Sequence, residues 1–223
     1  MNFQVLSRPL KQKRDIMKFP TRITCTVIIS CVVLILHLTP STTQFFELDN
    51  RDPHQLFSYR IITCNALHWS WNHLLWDLIM FTVLGAICES TDRFKYLTYL
   101  VLSSILIPHI VLACHPNLST YRGLSGIDSG LFSMIAVDRI LESKRRGDRV
   151  SMIVFACCFL GLLIKIASEV LSGGNLFVSD SSFVPVPISH MTGAVSGVIV
   201  CLLLQPTHQE LPSRQINLTM LHE

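Results

Sequence analysis

Apolar residues run in six long stretches, near positions 20–39, 71–89, 96–114, 123–142, 151–171 and 185–204. Each is close to the ~20 residues that an α-helix needs to cross a ~30 Å hydrocarbon layer. The first and fifth stretches are the clearest. Asp77 interrupts the second and Asp128 the fourth, so both residues are expected to face the protein interior rather than lipid. The pattern predicts an all-α fold, a polytopic membrane bundle of six transmembrane helices occupying 20–204. A basic tail, 1–19, precedes it and a second tail, 205–223, follows. The longest connection, about 40–67, contains "FFELDNRDPHQLFSYR". A loop of that length commonly carries function, and Phe45, Phe46, Phe57 and Tyr59 predict that it lies at the bilayer surface, where aromatic rings settle.

Composition agrees. Half of the 223 residues are hydrophobic and 15% are charged, against about 25% in a soluble domain. The charges also set an orientation. Arg8, Lys11, Lys13, Arg14 and Lys18 precede the first stretch, Arg93 and Lys95 fall between the second and third, and Lys144, Arg145, Arg146 and Arg149 fall between the fourth and fifth. The loop 172–184 has no Lys or Arg. An excess of Lys and Arg marks cytoplasmic loops, so both termini are expected to be cytoplasmic, with which an even number of crossings agrees. The first stretch follows a basic segment as a signal peptide would, but it is too long and "HLTPSTTQ" offers no A-x-A site, so an uncleaved helix is expected. The formal charge of +3 reads as membrane topology, and no basic patch with interleaved aromatics suggests nucleic acid. Eight cysteines show no metal-ligand spacing, so no metal and no cofactor are expected. Cys64 and Cys114 fall toward the outer face, where they could pair.

The chemistry gathers at one level. In "RGLSGIDSGLF", Ser125 stands between glycines at the outer end of the fourth stretch. It is not a hydrolase nucleophile elbow, which needs a second glycine where this chain has Ile127. The first-turn amides of a helix have no internal partner, so Ser125 lies beside donors able to hold an oxyanion. Gly126 and Gly130 are alternatively read as plain small-residue helix packing. A serine nucleophile needs a base. His190, in "PVPISHMTGAVSG" after Pro185 and Pro187, lies about one turn below the same surface. The small face Gly193, Ala194 and Gly197 can dock against Gly126 and Gly130 and bring imidazole to hydroxyl. The second stretch adds His68 and His73 at the outer end, and His73 and Asp77, four apart, share a face. A neutral His73 can donate to a developing negative charge, whereas His68, beside Trp69 and Trp71, also suits an interfacial role. Intramembrane polar residues are functional candidates by default, and here three groups of them converge in depth.

These residues resemble the rhomboid family of intramembrane serine proteases, over the second through sixth stretches. Gly123-x-Ser125-Gly126 resembles the family's nucleophile motif, and His190-x-x-Gly193-x-x-x-Gly197 its base motif. The series His68, His73, position 77 and Glu89 matches in spacing, and Tyr59-Arg60 resembles a Trp-Arg motif in the first loop. "HWSW", "GLSGIDSGLF", Lys165 and Glu169 look closer to the rhombosortase-like branch. The resemblance implies a Ser125–His190 dyad with an oxyanion hole made by His73 and the Ser125 amide, to which Asp77 would add if protonated. It implies cleavage of membrane-anchored protein substrates near the outer leaflet, among them C-terminal sorting tails of exported proteins. It also implies an integral multi-pass protein of a bacterial inner membrane.

Two positions depart from the family's pattern. Asp77 stands where Asn is usual; ionised, it would repel an oxyanion and would instead serve to orient His73. Ser129 stands where a Tyr usually meets the base, leaving the imidazole to be held by another group, for which Asp128 is a candidate by analogy with soluble triads. Lys165 and Glu169, four apart, are read as an i,i+4 pair with the lysine snorkelling outward, or as a recognition point for a substrate's polar end. Beside the protease, two other classes stay open: a non-catalytic rhomboid-like binder of transmembrane segments, which would need neither Ser125 nor His190, and a small transporter, which would place its polar residues at the midplane.

Overall fold

Each of the six apolar stretches coincides with a helix. The computed structural model describes residues 23–172 and 186–205. The basic tail 1–19, the start of the first stretch, the loop 173–185 with Pro185, and the C-terminal tail beyond Gln205 lie outside the described residues. The long helices are α1 (Thr24–Leu38), α4 (Trp71–Thr91), α5 (Arg93–Cys114), α6 (Ser125–Arg146), α7 (Arg149–Ser172) and α8 (Pro187–Leu203). Between α1 and α4 come two single-turn helices, α2 (Thr43–Phe46) and α3 (Arg60–Thr63), and a short strand β1 (Leu48–Asp49); its partner β2 (Thr120–Tyr121) precedes α6.

By length and composition, α4, α5 and α7 are apolar enough to cross a membrane, and α1 becomes a fourth when joined to Pro40–Phe46, which bends from it by 93°. The two remaining helices fall short for a physical reason. α8 is apolar but has 17 residues. α6 carries Asp128, Asp138 and a basic last turn, because it is the central helix, packed against α4, α5, α7 and α8. A helix surrounded by protein can hold polar groups that a lipid-facing one cannot. α7 is the opposite case: Val150, Ile153, Val154, Leu160 and Ile164 are all exposed, and only Leu162, Ile166 and Glu169 are buried.

Without a hydrophobic drive between helices in lipid, close packing and interhelical hydrogen bonds hold such a bundle. The α6–α8 contact shows both. A Cβ placed on Gly193 would strike the Gly126 carbonyl, one on Gly197 the Gly130 carbonyl, and one on Gly126 would sit 3.0 Å from the Ser189 carbonyl oxygen. Ser133 Oγ then donates across to the Ala194 carbonyl at 2.9 Å. α1 is tied in at its N-terminus by a carboxylate from another helix: Glu89 accepts from the Cys25 amide at 3.0 Å, the Thr26 amide at 2.8 Å and the Thr26 hydroxyl at 2.8 Å. The first-turn amides need such acceptors. In α5, Pro108 cannot donate to the Ser104 carbonyl one turn back; Asn65 Nδ2 supplies that bond at 3.1 Å.

The long connection between α1 and α4 is folded onto the bundle. The Tyr59-Arg60 pair closes α2, with the Tyr59 hydroxyl donating to Phe45 O at 2.8 Å and Arg60 to Gln44 O and Glu47 O at 2.9 and 3.0 Å. β1 then pairs antiparallel with β2, Leu48 opposite Tyr121. Phe45, Phe57 and Tyr59 remain exposed. Burial pushes the Cys64 thiol above its ordinary range, which makes it inert. Cys64 is buried, Cys114 is exposed, and both are free thiols, so the pairing considered from the sequence is not made.

Candidate active site

The polar residues singled out above lie at one end of the bundle because of where each helix begins or ends. Ser125 is the first residue of α6, His190 the fourth of α8, His73 the third of α4, and Lys165 and Glu169 lie in the last two turns of α7. The segment entering α6 is clamped from outside. Arg122 pairs with Glu47 and stacks 4.0 Å over the Trp69 ring, and the Gly123 amide reaches the Cys64 carbonyl. Gly123 has φ +126°, and a Cβ there would meet the His73 ring at 3.1 Å. Both the backbone angle and the ring therefore require glycine.

Ser125 is half-buried and borders two cavities. The larger, about 410 Å³, is lined by Ser125, His190, His73, Asp77 and Glu169, with Trp76, Met80, Phe132 and Leu162 as its apolar wall. The smaller, about 40 Å³, lies between Ser125, His190, Trp69, Tyr121 and Arg122. It has room and polar partners for water. His190 and Ser125 border both spaces, from helices whose backbones touch at Gly126 and Ser189.

The imidazole of His190 is held by Glu169, which the i,i+4 spacing on α7 also pairs with Lys165. Its Nδ1 lies 2.7 Å from Glu169 Oε2. Lys165 Nζ reaches both oxygens of the same carboxylate, at 2.8 and 2.9 Å. The lysine thus turns inward to Glu169 instead of snorkelling outward. Asp128, the candidate for this position from the sequence, is buried in the same region, but neither of its oxygens has a hydrogen-bond partner among the described residues. Ser129 bonds its own helix, donating to the Ser125 carbonyl at 2.9 Å. The signal that could have found Glu169 was depth: an acidic residue within one turn of the end of α7 stands level with a histidine one turn inside α8.

On the α4 side, three donors converge on Asp77 Oδ2. His68 Nε2 lies at 3.2 Å, His73 Nε2 at 3.3 Å and the Leu124 amide at 3.1 Å. The two rings meet edge to face with centroids 5.1 Å apart. His68, which could have been a surface residue, is buried and shares this carboxylate.

Long apolar helices around a half-buried serine and buried histidine and carboxylate side chains define an integral membrane protein with a polar internal site. A family model for the rhomboid domain matches residues 56–207, more than half of the chain, and the chain belongs to the rhomboid family. Members of that family are usually hydrolases that act on membrane proteins within the bilayer. Among curated proteins the chain has no match.

Proposed function

We propose that this protein is an intramembrane serine endopeptidase in which Ser125 is the nucleophile and His190 its base. The observation that carries the reading is the shared cavity wall: a half-buried hydroxyl and a buried imidazole, on helices in backbone contact, border one space of about 410 Å³. The tautomer supports it as well. A carboxylate can only accept, so the proton on His190 sits on Nδ1 toward Glu169, and Nε2 is left with its lone pair to take the Ser125 proton.

The steps follow from these groups. A membrane-anchored segment enters the apolar side of the large cavity and presents a peptide carbonyl to Ser125. Oγ attacks the carbonyl carbon while its proton passes to His190 Nε2. The oxyanion forms beside the Ser125 amide at the start of α6, where helix amides point outward, with His73 alongside. His190 returns the proton to the leaving amine, which departs and leaves an acyl-enzyme. Water from the small outer cavity, deprotonated by His190, hydrolyses the ester and restores Ser125. In this scheme Asp77 orients His73 and the entry to α6, with the three donors on its Oδ2 as support. Gly126, Gly193 and Gly197 set the approach of the two helices.

The same reading has six crossings with both termini cytoplasmic, α6 and α8 being crossings shielded by their neighbours, and the site near the outer leaflet of a bacterial inner membrane. The rhombosortase-like motifs favour C-terminal sorting tails of exported proteins as substrates. Co-expression with tagged exported proteins bearing C-terminal anchors tests this: wild type should release the tagged product and Ser125→Ala should not. Equal processing by both would remove Ser125 as the nucleophile, and capture of the anchors without any cleavage would replace the protease with a binder.

A further inference from the structure

We infer that Glu169 is a positioning residue for His190, making the site a Ser125–His190–Glu169 arrangement with Lys165 as the clamp of its acid. The inference rests on the reading of Ser125 and His190 as the catalytic pair. Four observations carry it. Glu169 Oε2 lies 2.7 Å from His190 Nδ1. Glu169 is 1% exposed, so the contact is shielded from competing water. Its carboxylate is bound at both oxygens by Lys165, which supplies the counter-charge that a buried carboxylate needs in order to remain a charged acceptor. Finally, the residues that α7 buries are Leu162, Ile166 and Glu169, and the one polar member among them meets the histidine.

A carboxylate on Nδ1 does two things for a base. It selects the tautomer that leaves Nε2 free to accept, and it stabilises the imidazolium that forms when Ser125 is deprotonated. Ser129 and Asp128, the nearby polar residues on α6, do neither: the first bonds the Ser125 carbonyl and the second makes no hydrogen bond among the described residues. Lys165 Nζ lies 3.4 Å from His190 Nδ1, and with both nitrogens donating to one oxygen the lysine holds the carboxylate in line rather than bonding the ring. The acid comes from α7, so the base is aligned only while α7 is seated on α8.

The test compares wild type, Glu169→Gln, Glu169→Asp, the isosteric neutral double variant Lys165→Met/Glu169→Gln, and Ser125→Ala. A purely structural tie between α7 and α8 would be read in thermal stability. A positioning role lowers kcat about 100-fold, the scale of general acid–base catalysis, with KM nearly unchanged, equally in Glu169→Gln and the double variant, and with partial recovery in Glu169→Asp. The double variant leaves no buried charge unpaired, so it remains informative where the single variant folds poorly. A kcat within about threefold of wild type in either folded neutral variant overturns the role. A second arm needs no turnover. With ¹⁵N-histidine labelling, the His190 Nδ1–H should give a far-downfield proton resonance that is absent in His190→Asn and moves upfield in Glu169→Gln. An unmoved resonance overturns the inference. Wild type that cleaves no better than Ser125→Ala defeats the protease reading instead, while the resonance still decides the contact.

Discussion

Gly193→Ala tests the packing that brings the two helices together. A Cβ built on Gly193 falls onto the Gly126 carbonyl oxygen and comes within 2.7 Å of its carbon. Carbon contacts rest at about 3.5–4.0 Å, so α8 must retreat from α6 by about 1 Å or twist to match. Overpacking of this kind costs about 1–3 kcal/mol. His190 lies three residues earlier on the same helix and is carried along. A misplacement of about 1 Å can lower the rate about 10²-fold. The assay pairs thermal unfolding in detergent micelles with steady-state cleavage of an anchored substrate. The expected result is a helical protein of reduced Tm with kcat down by about two orders of magnitude. Unchanged Tm and kcat would show that the two backbones need not touch for the site to form.

Three further outcomes are expected. Glu89→Gln replaces an acceptor of three bonds at the start of α1 with an amide that can match only some of them; a loss of about 1–3 kcal/mol is expected, read as a lower Tm with earlier proteolysis of α1. Asn65→Ala leaves the Ser104 carbonyl beside Pro108 without its partner, also about 1–3 kcal/mol, checked by thermal unfolding. Gly147→Ala acts at the other end: Gly147 closes α6 with φ +71° and has open space around it, so the variant should lose about 1 kcal/mol through backbone strain alone, with kcat unchanged in the cleavage assay.

The architecture was legible because helices in lipid announce themselves by length and apolarity, and all six stretches became helices. Gly126, Gly193 and Gly197 were legible too, since small residues spaced a turn apart have few other uses in a membrane. The outer connection was not. Its turns depend on Arg60 capping the carbonyls of Gln44 and Glu47 and on β1 finding β2 some seventy residues later, and nothing local encodes either. The acid on His190 was half legible. The i,i+4 spacing of Lys165 and Glu169 gave their mutual contact, but that spacing says nothing about which way the pair faces, and the inward rotation of α7 is set by Leu162 and Ile166 packing on the bundle. Asp77 was seen as a departure whose role depended on its neighbours; the converging donors come from His73 on α4, His68 in the loop before it and Leu124 just before α6.

What remains decisive is whether one hydroxyl in this molecule is activated. A fluorophosphonate probe forms a covalent bond only with a serine whose oxygen is made nucleophilic. Incubated with the folded protein and mapped by peptide mass spectrometry, it should mark Ser125 alone, and the adduct should vanish in Ser125→Ala and fall sharply in His190→Ala. A folded wild type that carries no adduct, or carries it on another serine, would contradict the assignment of Ser125 and His190.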